Sequence, residues 1–356
     1  MKIAIDCRML GKTGIGVYLE NIVYNLLSDR QHQYVLVGQE KVLMKAFGDF
    51  DFDFVESSVK PFSLKEVLFF DVSRINACDV FFTPNFNIPG GIKIPICSTI
   101  HDVVFLDVKG LTSRQGVLIR KLFLRRAIRM SKIILTVSSF SSSRIKHHFP
   151  SVGPVEVVPN GINRELEAYA PDTRAPYPFP YLLYVGNFKR HKGLHTLMKA
   201  YLQLVDQGLT HKLVLVGVHE GLRTIDKAFL ATMKAHQDHI VFAGHLTNQQ
   251  LYATMTHASV LVQPSVYEGF GLPPLEALFL NTQVVVSDIT VFREIYGEFP
   301  VHFFASEDVD DLAVVLKRVL LGGEILFISH EPVKTFYNYS KAADNVLRCL
   351  EKSVII

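Results

Sequence analysis

Short apolar runs rich in β-branched residues recur along this chain, and between them lie longer stretches with amphipathic spacing. That alternation reads as βαβ units and parallel sheets. In the first half the expected strands are "KIAID", "QYVLVG", "FDFVE", "DVFFT", "PICSTI", "KIILTV" and "VEVVP", with helical patterns such as "GVYLENIVYNLLSD" between several of them. The stretch "AYAPDTRAPYPFP" then places four prolines in the ten residues from Pro171 to Pro180, which neither sheet nor helix can absorb. It reads as an interdomain linker. Beyond it the pattern restarts with "YLLYVG", "HKLVLVG", "HIVFAG", "SVLVQP", "TQVVVSD" and "VHFF".

The organisation expected is α/β: two doubly wound, Rossmann-like domains over 1–168 and 181–335, a proline-rich linker over 169–180, and a C-terminal helical segment over 336–356 that can pack back on the first domain. In such sheets ligands bind beyond the carboxyl ends of the strands. Four unusual segments fall there: "GKTGIGVY" after the first strand, "HDVVF" after "PICSTI", "GNFKRHKG" after "YLLYVG" and "YEGFGLPPLE" after "SVLVQP". If the two domains face each other, these segments line one cleft.

Length and composition agree with this picture. A chain of 356 residues exceeds what one core usually serves, and 49% hydrophobic with 20% charged residues describes a globular protein. Each long apolar run is interrupted by Pro, Gly or charge before it reaches a membrane span. The N-terminus enters a strand-like run and meets Asp6 too early for a signal peptide. The cysteines Cys7, Cys78, Cys97 and Cys349 form no CxxC pair, which points away from zinc and from a disulfide framework. A cytoplasmic protein is the default expectation. The net charge of +3 hides an imbalance: ten Lys/Arg and no Asp or Glu lie between Lys109 and Pro150. An anionic partner is implied.

The candidate chemistry sits in the glycine-rich segments. "GKTGIGVY" is neither a Walker loop, whose first Gly would stand where Asp6 stands, nor a dinucleotide fingerprint, whose third Gly would replace Leu19. It remains a tight turn, or a turn whose amides at Gly14 and Gly16 bind an anion or hydroxyl. "GNFKRHKG" sets Lys189, Arg190, His191 and Lys192 at a helix entry, where cations oppose the helix dipole unless an anion lies among them. They are either solvated charge or a diphosphate site. "YEGFGLPPLEALF" offers the backbone of Gly269, Phe270, Gly271 and Leu272 at a helix start, with Glu268 before it and Glu276 within it. Dipole compensation explains Glu276 but not Glu268. Carboxylates are good acceptors for sugar hydroxyls, so amides and carboxylates together describe a sugar-nucleotide site.

"PSVYEGFGLPPLEA" resembles the E-x7-E signature of the retaining glycosyltransferases of family four, on the GT-B fold. "IDCRML…TGIGVYLENI", "TIHDVVFL", "LTVSSFSSSRI", "VVPNGIN", "YVGNFKRHKGL" and "FAGHLTNQQLYATMTHASVLVQPS" resemble further family segments in the expected order, so the likeness covers nearly the whole chain. The resemblance implies two Rossmann-like domains facing across a cleft, a nucleotide-diphosphate sugar as donor substrate, and no cofactor or metal. It implies that Glu268 lies by the donor sugar and its developing positive charge, while Lys192 neutralises the leaving diphosphate. His101 would contact the sugar near the reaction centre. Gly269 through Leu272 would supply amides, Glu276 would hold the ribose hydroxyls, and the Gly14–Gly16 loop would close on donor or acceptor.

Two departures stand out. Many relatives carry Arg where this chain has Asn187, so Arg190 or Lys189 is expected to assist Lys192. The relatives' A-x-G-x-P-V-V is replaced by "ALFLNTQVVV". Base choice is expected near Val218 and His245. Related subgroups include many mannosyltransferases, which makes GDP-mannose the first donor to consider, with rhamnose and glucose donors next. The competing readings are an epimerase or phosphorylase on the same fold, and a non-catalytic sugar-nucleotide-binding subunit.

The basic stretch "GVLIRKLFLRRAIRMSK" belongs to a helix expected over 118–132. On a helical wheel Lys121, Arg125, Arg126, Arg129 and Lys132 fall within about a third of the circumference, with Ile119, Phe123, Ala127 and Met130 opposite. It is either a core-packed helix with a solvated face or a surface for anionic lipid. Nucleic acid is not expected, because no aromatic residues are interleaved for base stacking. A lipid-linked glycan acceptor, met on the inner face of the plasma membrane, would account for the patch.

Overall fold

The computed structural model describes residues 1–11, 14–172, 174–217, 227–323, 325–326 and 330–355. The chain forms two compact units, Met1–Asn163 with Tyr337–Ile356, and Arg164–Phe336. The first unit carries a parallel sheet of β1 (Lys2–Asp6), β2 (Gln33–Gly38), β3 (Asp53–Glu56), β4 (Val80–Thr83), β5 (Ile96–Thr99), β6 (Ile133–Thr136) and β7 (Val155–Val157). The second carries β8 (Tyr181–Val185), β9 (Lys212–Val216), β10 (Ile240–Gly244), β11 (Val260–Gln263), β12 (Val284–Ser287) and β13 (His302–Phe304), again parallel throughout. Each of these strands lies within one of the apolar runs read from the sequence. β1, β4, β5, β6, β11 and β12 are buried almost end to end, as parallel strands covered by helices on both faces must be.

The strand orders are β3-β2-β1-β4-β5-β6-β7 and β10-β9-β8-β11-β12-β13. In each sheet the winding direction reverses once, between β1 and β4 and between β8 and β11. A crevice beyond the carboxyl ends of the strands is expected at such a reversal.

In the first unit, Ile3, Ile5, Val80, Phe82 and Cys97 of the sheet pack with Leu19 and Ile22 of helix Gly14–Ser28. Ala342, Val346 and Leu350 of helix Tyr339–Ile355 complete that core. The core of the second unit joins Leu182, Leu213, Val260 and Val285 to Leu197, Tyr201, Leu312 and Leu316.

Two expectations need correction. The first boundary falls at 163/164, not 168/169, because helix Arg164–Glu167 buries Leu166 and its Glu165 accepts a 2.6 Å hydrogen bond from Asn248 of the second unit. The proline-rich 169–180 therefore belongs to that unit, and the chain leaves it at 336/337 rather than 335/336. The basic helix runs Arg114–Met130, N-capped by Ser113 accepting from the Gly116 amide. Ile119, expected on the packed side, is more than half exposed. Arg126, expected on the basic face, turns inward and donates to the Ile88 and Pro89 carbonyls.

Candidate active site

At the reversal point of the second sheet, the segment after β8 folds back against the segment after β11. Arg190–Lys192 makes one 3-10 turn, closed by Gly193 at φ +68°. A methyl group on Gly193 would overlap the Pro264 carbonyl oxygen, so the two backbones touch where only glycine fits. The Val266 amide donates to the His191 carbonyl at 2.8 Å and completes the clamp. Gly193→Ala is therefore expected to cost more than the ~1–2 kcal/mol of a left-handed non-glycine residue alone. A lowered melting temperature checks this; an unchanged one would refute the close approach.

The clamp sets Lys192 Nζ 2.7 Å from Glu268 Oε1. Ser265 donates to the same oxygen at 2.8 Å, and the Gln263 amide donates to the Ser265 hydroxyl at 3.0 Å. The ion pair is largely withdrawn from water, its side chains 18% and 10% exposed, so each charge depends on the other. His191 is buried beside it. Burial, with Lys192 adding repulsion, pushes its pKa down to about 4, so the ring is neutral at pH 7. Its Nδ1 is buried and has no hydrogen-bond partner among the described residues.

Eight residues beyond Glu268 the environment differs. Gly271 takes φ +93°, and a methyl there would stand 2.6 Å from the Phe292 ring. Helix Leu272–Phe279 begins at once with Pro273 and Pro274, which have no N–H to leave unpaired. Tyr296 donates its hydroxyl to the Gly271 carbonyl. The Phe270 side chain is buried, so only its backbone can meet a ligand. Among the described residues the Glu276 carboxyl has no hydrogen-bond or ion-pair partner, and burial alone raises its pKa to about 7.

The remaining expected residues are spread along the same edge of this sheet. Asn187 is exposed, and its carbonyl accepts from the Tyr184 hydroxyl at 2.8 Å. Lys189 and Arg190 are exposed, as is His245 just after β10. Val218 lies outside the described residues.

In the first unit, His101 follows β5. Its Nε2 lies 2.9 Å from the Pro84 carbonyl, which can only accept, so this nitrogen carries the proton. Burial lowers the His101 pKa to about 4, leaving a neutral ring whose Nδ1 is an acceptor. The ring stands edge to face with Tyr18, centroids 4.8 Å apart. Gly14 has open space where a side chain would go. A methyl on Gly16 would lie 2.8 Å from the Met9 carbonyl oxygen. Packing of the turn on itself thus suffices to explain Gly16.

Several residues escaped the sequence reading. Ser265 and Gln263 were signalled only by polar residues ending an apolar strand, "SVLVQPS". At the reversal point of the first sheet, buried Arg8 is held by Asp6 at 2.6 Å and by Glu66 at 2.6 Å. The side chain of Asn87 donates to both carboxylates, at 3.1 and 2.9 Å. Its only sequence signal was a charged pair closing the first apolar run.

Residues 167–340 match the family model described as "Glycosyl transferases group 1". The chain is 27% identical over 230 residues to the O-antigen chain mannosyltransferase B of Escherichia coli, a match covering 62% of this chain and 59% of that protein. It is 31% identical over 235 residues to glycogen synthase of Mycobacterium tuberculosis, covering 64% and 55%. These matches thus span little more than half the length of the curated relatives. Among solved structures, Anabaena HepE in complex with UDP and glucose aligns at TM-score 0.75 and 14% identity, over 99% of this chain and 100% of that one. The chain accordingly consists of two parallel-sheet α/β units matching GT-B glycosyltransferase structures, and residues 167–340, just under half of it, resemble the group 1 glycosyl transferases.

Proposed function

We propose that this protein is a retaining glycosyltransferase that moves a hexose from a nucleotide-diphosphate sugar to a growing, lipid-linked glycan. The observation that carries the reading is the contrast between Glu268, paired with Lys192, and Glu276, which has no partner among the described residues. With donor bound, Lys192 turns to the diphosphate and neutralises the charge that develops as the glycosidic bond breaks. Glu268 is thereby released to face the positive charge growing on the sugar. Glu276 accepts the ribose hydroxyls, and the first-turn amides at Gly271 and Leu272 point toward hydroxyl or phosphate oxygens. The leaving phosphate takes the proton of the incoming acceptor hydroxyl on the same face. Catalysis then rests on placement and charge stabilisation, with no protein nucleophile required.

GDP-mannose is the first donor to test, since the E. coli relative is a mannosyltransferase. The mycobacterial relative is a glycogen synthase, so the screen must be wider. A thermal-shift series with GDP, UDP, dTDP and ADP sugars is the test. A donor at 100 times its Kd should add ~2.7 kcal/mol to stability. No shift with any of them would overturn the reading.

The lipid-linked acceptor rests on the helix Arg114–Met130. Its outward side shows Arg125 and Arg129 together with Leu118, Ile119 and Leu122, all exposed. Basic and apolar side chains on one helix suit an anionic bilayer surface. Among the described residues no helix is long and apolar enough to cross a membrane. Replacing Lys121, Arg125 and Arg129 by Gln should weaken binding to phosphatidylserine-rich vesicles by ~3 kcal/mol at low salt, about a hundredfold. The loss should shrink as salt shortens the Debye length. Equal flotation of both proteins at low salt would count against this surface.

A further inference from the structure

The basic helix has an apolar neighbour. Residues 61–70, "PFSLKEVLFF", fold into the short helix Leu64–Leu68 and its flanks. Leu64, Leu68 and Phe69 are 77%, 64% and 75% exposed. Three large apolar side chains in water on one turn mark a contact surface more often than a solvated one.

This exposure is fixed from within. Glu66, on the inward side of the same turn, is fully buried. Its carboxylate accepts from Arg8 at 2.6 Å, from Asn87 at 2.9 Å and from the Phe62 amide at 2.7 Å. The Glu66 carbonyl accepts from the Gly90 amide at 3.0 Å, and a side chain on Gly90 would overlap the Val67 carbonyl. Phe70 turns inward over the Arg8 guanidinium at 4.7 Å. The buried charges anchor the turn to the carboxyl end of β1, and the apolar residues on its other side are held out as a consequence.

The turn also joins the basic helix. Phe62 packs against Phe123 with ring centroids 5.5 Å apart. Arg126 of that helix grips the Ile88 and Pro89 carbonyls, next to Gly90. The exposed charges flanking the two apolar clusters are predominantly basic, Lys60, Lys65, Arg114, Arg120, Arg125 and Arg129, with Asp71, two residues beyond Phe69, an exposed acid beside them. Between Ser57 and Phe70 the only acid is the buried Glu66, and between Lys109 and Pro150 there is none.

We infer that the Leu64–Phe69 turn is a second membrane contact, an apolar wedge entering the acyl boundary of an anionic bilayer beside the basic helix. The charge decides the occupant. A second copy of this chain would set like charges against each other, whereas anionic headgroups would neutralise them while Leu64, Leu68 and Phe69 enter the apolar layer. The inference rests on the membrane reading above and adds a contact that salt does not screen.

The chain contains no tryptophan, so Phe69→Trp creates a single fluorescent probe at the tip. On addition of phosphatidylserine-rich vesicles its emission should shift to the blue, and lipids brominated in the acyl chain should quench it. A second variant, Leu64→Gln/Leu68→Gln/Phe69→Gln, changes only exposed positions, and its melting curve verifies the fold. At salt high enough to screen the basic helix, its residual vesicle binding should fall by about tenfold or more relative to wild type. An unshifted tryptophan on vesicles that bind the protein, or wild-type binding by the triple variant, would overturn the wedge and leave the basic-helix reading standing. Absence of wild-type binding to any vesicle would overturn both. If the triple variant instead turns a dimer into a monomer with vesicle affinity unchanged, the turn is a self-association surface and the inference fails.

Discussion

Glu268→Gln is expected to lower turnover by about a hundredfold to a thousandfold, while donor affinity changes little. The substitution preserves shape and the hydrogen bond from Ser265 but removes the negative charge. On the proposed mechanism that charge is needed most when the glycosidic bond is nearly broken and the sugar is most positive. In the free protein it is cancelled by Lys192 at 2.7 Å. Removing it also frees the ammonium group for the diphosphate, so nucleotide binding should hold or tighten. A single-turnover rate together with a donor titration separates the two effects. Near-normal turnover in the purified variant would remove Glu268 from the reaction.

Glu276→Ala should act on binding instead. Two ribose hydroxyls donating to one carboxylate are worth roughly 1.5–3 kcal/mol each, so the nucleoside diphosphate should bind at least about a hundredfold more weakly. The pH dependence gives an independent check. Desolvation of this half-buried carboxyl raises its pKa to about 7 in the free protein, and it has no partner among the described residues. Only its ionised form accepts both hydroxyls, so affinity should rise as pH climbs through 7, with a proton released on binding. Below that point each unit of pH should cost about tenfold in affinity. The Ala variant should lose this slope, which separates it from titration of the ligand's own phosphate. An unchanged Kd, or a slope that survives the substitution, would reduce Glu276 to a helix residue.

The strands were legible because each is a local apolar run, and local pattern is what sequence displays most directly. The boundary at 163/164 was not, since it depends on Leu166 and Glu165 contacting residues far along the chain. In the site, the motif drew attention to Glu268, Glu276 and Lys192. It did not say which carboxylate would be paired, because Lys192 and Glu268 stand 76 positions apart and burial is a property of the fold. The Arg8–Glu66 and Asn87–Asp6 contacts span 58 and 81 positions and were invisible for the same reason. The helical wheel placed Ala127 correctly but sent Ile119 inward and Arg126 outward. A wheel records which residues share a side, not what stands opposite each turn.

The first unit is interrupted. Residues 164–336 leave it and return, and departure and return are stitched together where Ile162 bridges Asn338 and its amide donates to the Tyr337 carbonyl at 3.0 Å. On the ribosome this fixes an order of events. The second unit is continuous and can finish as it emerges, whereas Leu19 and Ile22 must await Ala342, Val346 and Leu350. Until then a nascent chain carries an uncovered apolar stripe, which makes it a client for chaperones throughout the time needed to translate the intervening unit.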